Sequence, residues 1–379
     1  MKYMTKIEGM TFFADFKRKL RKKNYINSTF VAKETAEKMK ETIIILFDKK
    51  AINNLDDLIT AIKYLGNIII TIDPVQFCTG NIIKQILNFI REEKDKCLSE
   101  KNEDFHTEEV KDAEKTLELL KDFDFKDIKD GKNETKGNNK IESADSLSEA
   151  KNKILTEMDN LINEIDNIST VITGMKELND LIIDGDTILT SHNSEQVREI
   201  LIASHKKNKK FKVFVAESAP LYSGRVQAEK LIENGIDVTV INDDDIYSVM
   251  TEFNKMKVLI GARAILVNGA AITYNGAYNI CLSANMFFIP VIIAGGVTKL
   301  TPMYSFNHEL YNEYLSPSLI YNKNVKYEGD ITGLKFNTPA FDYVPQNLIT
   351  MYAMDIGIIL PICIYREFPE RYSQDDFEI

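Results

Sequence analysis

The residues of this chain best placed to do chemistry sit just after short β-branched runs. Ser191-His192-Asn193-Ser194 follows the run from Thr187 to Thr190 and leads into a helical stretch. A helix start leaves backbone N–H groups without partners, so this loop suits a phosphate or a carboxylate. The plainer alternative is that Asn193 or Ser194 caps the helix and does nothing more. Glu217-Ser218-Ala219-Pro220 ends a second run and enters a turn set by Pro220 and Gly224, and Asn268-Gly269-Ala270 ends another. Ligands of open parallel sheets lie at the carboxyl ends of the strands. His192, Asn193, Ser194, Ser218, Ala219, Asn268, Gly269 and Ala270 are therefore expected to line one concave site. These residue types are better suited to binding than to reacting. They include no acid–base pair, no nucleophile beside a base and no Lys or Arg pair to clamp a phosphate.

Other candidates are weaker. Asp243-Asp244-Asp245 is the densest acidic cluster, fit either for a magnesium ion or for a solvated turn ahead of the next helix. The histidines His106, His192, His205 and His308 are isolated from one another, and the cysteines Cys78, Cys97, Cys281 and Cys363 show no CxxC spacing, so no metal centre or disulfide framework is expected. Cys281 and Cys363 lie in apolar runs and read as inert core thiols. No P-loop and no GxGxxG occurs, and no cofactor is expected. Basic runs at Lys17–Lys23 and Lys206–Lys210 suit RNA phosphates or an acidic partner, or are simply solvated helix ends. With 47 Lys and Arg against 57 Asp and Glu, a net charge of −10 argues against a dedicated nucleic-acid binder. No apolar run approaches membrane-spanning length and the start lacks a signal-type core, so a cytoplasmic protein is expected, with the triplets at Asn27, Asn133 and Asn167 left unglycosylated.

The elements that must position these loops follow from periodicity. Residues 1–93 read as a helical domain: Asn54 and Asp56 precede Ile59 and Ile62, and Asn81 precedes Ile82, Ile83, Ile86, Leu87 and Ile90 at helical spacing. Residues 94–148, rich in Lys, Glu, Asp, Asn and Ser, read as an acidic, largely disordered insertion with at most a transient helix at Val110–Phe123. Residues 149–180 form a long amphipathic helix that completes the helical domain, with Ile154, Met158, Leu161 and Ile165 on one face. From 181 to 379 short apolar runs alternate with helices at Ser194–His205, Ser223–Asn234 and Asp245–Met256, and Gly276 opens another. This alternation predicts an α/β unit with a mainly parallel sheet and helices on both faces. The stretch from Tyr343 to Tyr365 is a candidate for subunit contacts.

Phe214-Val215-Ala216-Glu217-Ser218-Ala219-Pro220, Ile260-Gly261, Ile265-Leu266-Val267-Asn268-Gly269 and Phe341-Asp342-Tyr343-Val344-Pro345 with Leu348-Ile349-Thr350 resemble the regulatory-subunit family of eukaryotic translation initiation factor 2B. The last match favours the beta branch over alpha or delta, and Thr79 through Glu93 resembles the family's helical-domain motif. The resemblance implies a helical N-terminal domain, a Rossmann-like C-terminal domain and a non-catalytic role in a guanine-nucleotide exchange complex. That complex acts on the GTP-binding factor that carries initiator tRNA and senses phosphorylation of the factor's alpha subunit. The implied partners are delta-like and alpha-like regulatory subunits and catalytic epsilon- and gamma-like subunits, reached in part through the Rossmann-like domain, with no membrane and no direct nucleic acid. The runner-up is a sugar-phosphate isomerase of the same fold, acting on ribose bisphosphate or methylthioribose phosphate. Such an enzyme is expected to carry Cys in the first loop, Arg before the Pro in the second and Asp after Asn-Gly. Here those places hold Ser191-His192-Asn193, Ala219 and Ala270, and the pocket is expected to be vestigial.

Overall fold

A computed structural model describes residues 11–21, 28–49, 52, 54–97, 144–253, 255–304, 312–320 and 333–376. The expected insertion at 94–148, with its transient helix, falls almost entirely outside the described residues.

The N-terminal half is helical: α1 Thr11–Arg21, α2 Ser28–Asp48, α3 Leu55–Ile72 and α4 over residues 77–97, followed by the long α5 Ala144–Gly174 and the short α6 Lys176–Asp180. Asn54 caps α3 as its type predicts, accepting a hydrogen bond from Asp57 N at 2.9 Å. Helix α4 starts earlier than Asn81, so that residue is no cap. Its amide instead bridges away from the helix, donating to Thr298 O at 2.9 Å and Thr301 Oγ1 at 3.1 Å. Met39, Ile43, Leu58, Ile62, Ile82, Ile86 and Ile90 pack with Ile154 and Met158 of α5 in one apolar core. Full burial of each large side chain contributes about 1.5–3 kcal/mol. The outward face of α5 adds exposed pairs to α2, Lys33–Asp166 at 2.6 Å and Lys40–Asp159, each worth about 0–1 kcal/mol. Its last turns leave that core: Ile168 and Ile172 pack with Ile188, Val213 and Leu259 of the sheet. One helix thus links two cores.

The second half alternates as expected: β1 Thr187–Ser191, α7 Glu195–Lys206, β2 Lys212–Ala216, α8 Ser223–Glu233, β3 Val238–Ile241, α9 Ile246–Glu252, β4 Met256–Gly261, β5 Ala264–Leu266, β6 Ala271–Tyr274, α10 Ala277–Met286, β7 Val291–Ala294, β8 Leu300–Thr301, β9 Phe341–Val344, β10 Met351–Met354 and β11 Gly357–Ile359. Seven strands form one sheet in the order β11-β10-β7-β4-β1-β2-β3, parallel except for β11. Strands β1 and β7 are buried throughout, as their uninterrupted apolar runs require, and β4 between them is buried except at Lys257 and Gly261. Two features differ from expectation. Helix α9 is short because Asp243–Asp245 form a 3-10 turn and β4 begins at Met256. The run at Ala264–Val267 belongs to a separate four-stranded sheet, β8-β5-β6-β9, reached by a turn at Ala262-Arg263. Alternation along a sequence indicates strands but not which sheet each one joins.

Candidate functional site

Strand order reverses between β1 and β4: the chain runs outward one way through β2 and β3 and the other way through β4, β7 and β10. Ligands of doubly wound sheets sit at such a crevice. Here it holds a cavity of about 100 Å³, lined by Ser28, residues 192–196, Arg198, Lys230, residues 261–263, Tyr274 and Lys299. Gly261 at the end of β4 makes the closeness of the two loops possible. A Cβ there would meet Ser194 Oγ at 2.3 Å, below any real contact distance.

His192 closes the first loop in a left-handed conformation (φ 57°). Its backbone N–H donates to Ser218 Oγ at 2.9 Å, joining the first and second loops. The ring nitrogen Nε2 lies 2.9 Å from Asn275 O, a group that only accepts, so Nε2 carries the proton. Nδ1 then accepts from Ser223 Oγ at 3.1 Å. The ring also stacks against Tyr274, with centroids 5.1 Å apart. Burial pulls its pKa down to about 4, only partly offset by the Asn275 carbonyl, so the imidazole is neutral at physiological pH. Both nitrogens are occupied, leaving His192 as a latch between loops with no nitrogen free for a ligand.

The rest of the cavity is cationic. Lys299 is buried and donates to Gln196 Oε1 at 2.9 Å; burial, followed by repulsion from Arg263, pulls its pKa down to about 8. It therefore keeps most of its charge at pH 7. Arg263 donates to Gln76 Oε1, just ahead of α4, and its guanidinium lies 5.6 Å from the centre of the Phe341 ring. Its Nε is buried with no acceptor. Arg198 donates to Asn193 Oδ1 at 3.1 Å. Ser194 occupies the cap position of α7, but its side chain makes no cap bond, and its buried hydroxyl has no partner. Capping is therefore not its role, and the first turn of α7 lines the same cavity as Lys299 and Arg263. An anion fits this setting. Among the described residues Glu195 is the carboxylate lining it, and no thiol does.

His192, Asn193 and Ser194 line the cavity; Ser218 reaches it only through its bond from the His192 N–H, and the other predicted residues lie elsewhere. Ala219 is exposed, and its N–H, with that of Ser218, is held by the Asp243 carboxylate at 2.7 and 2.9 Å. The acidic cluster forms the expected turn ahead of the next helix, and Asp243 in addition clamps the second loop. Asn268, Gly269 and Ala270 form the β5–β6 turn of the smaller sheet, away from the cavity lining. Asn268 donates to Tyr343 Oη at 3.1 Å, Gly269 O accepts from Tyr352 Oη at 2.9 Å, and a Cβ on Gly269 would strike Pro361 O at 2.2 Å. The run that precedes them belongs to the smaller sheet, so the loop after it does not open at the switch point of the large one. Arg263 and Lys299 were missed. The visible signals were Gly261-Ala262-Arg263 directly after an apolar run and a lone Lys in Ala294-Gly295-Gly296-Val297-Thr298-Lys299. Cys281 is a buried thiol pushed up to about 12 by burial, whereas Cys363 is half-buried and so is not the core thiol expected.

A second feature lies on α10. Asp342 Oδ2 accepts from Gly276 N and Tyr278 N at 2.8 and 3.0 Å, fixing the start of that helix. Tyr278, Leu282 and Met286 are exposed along it, and Phe288 just beyond is 94% exposed. Beside them runs a groove of about 540 Å³ lined by Tyr278, Asn279, Asn312, Phe341 and Tyr343.

Residues 29–361 match the family model described as the initiation factor 2 subunit family. The chain is 28% identical over 375 residues to translation initiation factor eIF2B subunit beta of Schizosaccharomyces pombe, covering 91% of this chain and 92% of that one. It is 33% identical over 178 residues to ribose 1,5-bisphosphate isomerase of Methanocaldococcus jannaschii, covering 47% of this chain and 56% of that one. Its fold resembles that of the tetrameric eIF2B-beta2-delta2 complex from C. thermophilum, with TM-score 0.67, 16% identity and coverage of 98% and 99%.

Proposed function

The chain belongs to the initiation factor 2 subunit family, and from that premise we propose that it is a beta-type, non-catalytic regulatory subunit of a guanine-nucleotide exchange complex. The complex acts in the cytoplasm on the GTP-binding factor that delivers initiator tRNA and senses phosphorylation of that factor's alpha subunit. The observation that carries the reading is the state of the switch-point cavity. Its histidine is neutral with both nitrogens bonded, and Arg263 and Lys299 line it with no thiol among the described lining residues, a setting that supports binding an anion over proton transfer by a Cys–Asp pair. Delta-like and alpha-like subunits, and through them catalytic epsilon- and gamma-like subunits, are the partners. The exposed apolar face of α10 is the surface offered to the delta-like chain.

Native mass spectrometry of the tagged chain purified from its own cells tests this. A multi-subunit assembly containing an exchange subunit is expected, and a chain recovered without foreign subunits would refute it. The isomerase reading stands second, favoured by the anion-suited cavity and the partial match to an isomerase. It predicts turnover of ribose 1,5-bisphosphate or methylthioribose 1-phosphate by the purified chain; none is expected.

A further inference from the structure

A second cleft opens at the carboxyl ends of β7 and β10, where the last turns of α5 meet the sheet. It encloses about 560 Å³, inside the range of roughly 300–1,000 Å³ usual for small-molecule sites. Glu157, Asn160, Glu164, Asn167 and Val171 recur every three or four residues and so form one stripe of α5 along it. Opposite stand Val297 after β7, Asp355 and Ile356 after β10, and Arg371. Two charges in this cleft have no counter-ion. The Arg371 guanidinium makes no hydrogen bond and no ion pair among the described residues, and its Nε is buried. Buried donors without an acceptor are rare in native proteins, and each calls for an explanation. Asp355 Oδ1 accepts from Val297 N at 2.9 Å, but no cation among the described residues pairs with the carboxylate. Burial pushes that carboxyl up, the Val297 N–H and Arg371 draw it back, and Glu164 adds to the rise, so the three side chains sense one another without pairing. A guanidinium and a carboxylate left unpaired in one cleft suit a ligand that carries both opposite charges. The planar fork of Arg371 fits a carboxylate, and an ammonium fits beside Asp355 and Glu164. The rest of the lining includes Ile168, Val171, Val297 and Ile356, which suit an aliphatic group, while Glu157 and Glu164 repel an acidic one.

We propose that this cleft binds a free amino acid with an aliphatic side chain, its carboxylate on Arg371 and its ammonium at Asp355. The site is separate from the switch-point cavity and from the α10 face, and it does not rest on the exchange-complex reading. Isothermal titration calorimetry of the purified full chain with L-leucine is expected to show saturable binding. Isocaproate, which lacks only the ammonium, and isoamylamine, which lacks only the carboxylate, should each bind about tenfold or more weakly, and L-glutamate likewise. Arg371→Met and Asp355→Asn should lose L-leucine binding to the same degree. Both variants are expected to fold. Arg371 has no partner to forfeit, so Arg371→Met should keep or raise the thermal midpoint, and Asp355→Asn retains an acceptor for Val297 N. Absence of saturable binding up to about 10 mM L-leucine, equal binding of either analogue, or full binding by either variant would overturn the site. A lowered midpoint in Arg371→Met would overturn it too, because the guanidinium would then serve the fold. None of these results bears on the recovery of foreign subunits by native mass spectrometry, so the two readings fail separately.

Discussion

His192 reads as a ligand-pocket residue in the sequence and acts as a structural latch in the fold. It ties its own loop to Ser218, Ser223 and Asn275, so the start of α8 and the approach to α10 depend on one neutral ring. A folded-state pKa near 4 against 6.5 unfolded means that the unfolded chain binds more protons between those values. The latch therefore stabilises fully above pH 6.5 and loses its contribution as pH falls toward 4, by about 3 kcal/mol in all. Chemical denaturation at pH 7 and pH 4.5 should show that loss in the wild type and a distinctly smaller one in His192→Gln. An equal pH dependence in both would remove the latch. Gly261 makes a second prediction at this scale. Gly261→Ala drives a methyl into Ser194 and should cost about 1–3 kcal/mol of stability, read as a lower denaturation midpoint.

At the scale of elements, the C-terminal turn holds the helical bundle against the sheet. Asp376 is buried between Arg91 Nε at 2.8 Å and Lys63 at 2.7 Å. Burial pushes its carboxyl up, but the hydrogen bonds from Arg91 and Lys63 outweigh that and hold it below the usual carboxylate range. Tyr372 adds a bond to Leu300 O at 2.7 Å and receives one from Gln85. Asp376→Asn leaves two cations facing an uncharged amide and should cost about 3–5 kcal/mol, with protection from amide exchange falling first in α4. Loss of protection spread evenly over the chain would mean that the turn is not a specific tie. The residues of α5 were legible as a long amphipathic helix from their spacing alone. That its final turns cross to the sheet was not, because Ile168 and Ile172 continue the same apolar stripe that faces the bundle.

For the whole molecule, the exposed apolar face of α10 describes a chain built to be covered. Leu282→Lys with Met286→Lys should abolish co-purification of a delta-like chain while leaving the melting temperature within about 1–2 °C, since both side chains are exposed. A large drop in melting temperature would mean that these residues serve the fold itself. If exchange activity belongs to the assembly, the purified chain alone should not accelerate nucleotide release from the GTP-binding factor.

The sequence by itself determined the helical first half, the alternating second half, the cap at Asn54 and the loop carrying His192, because each is written in local periodicity and turn chemistry. Its motifs also pointed to the family, which the match over residues 29–361 establishes. Only the tertiary structure decided that β5 leaves the parallel sheet, that Asn268–Ala270 stand away from the cavity, and that Arg263 and Lys299 line it. It also assigned the Asp243 carboxylate to the second loop. These are long-range facts. A strand's sheet, a loop's neighbours and the partner of a buried charge depend on which segments meet across the fold, and residue spacing along the chain carries no record of that.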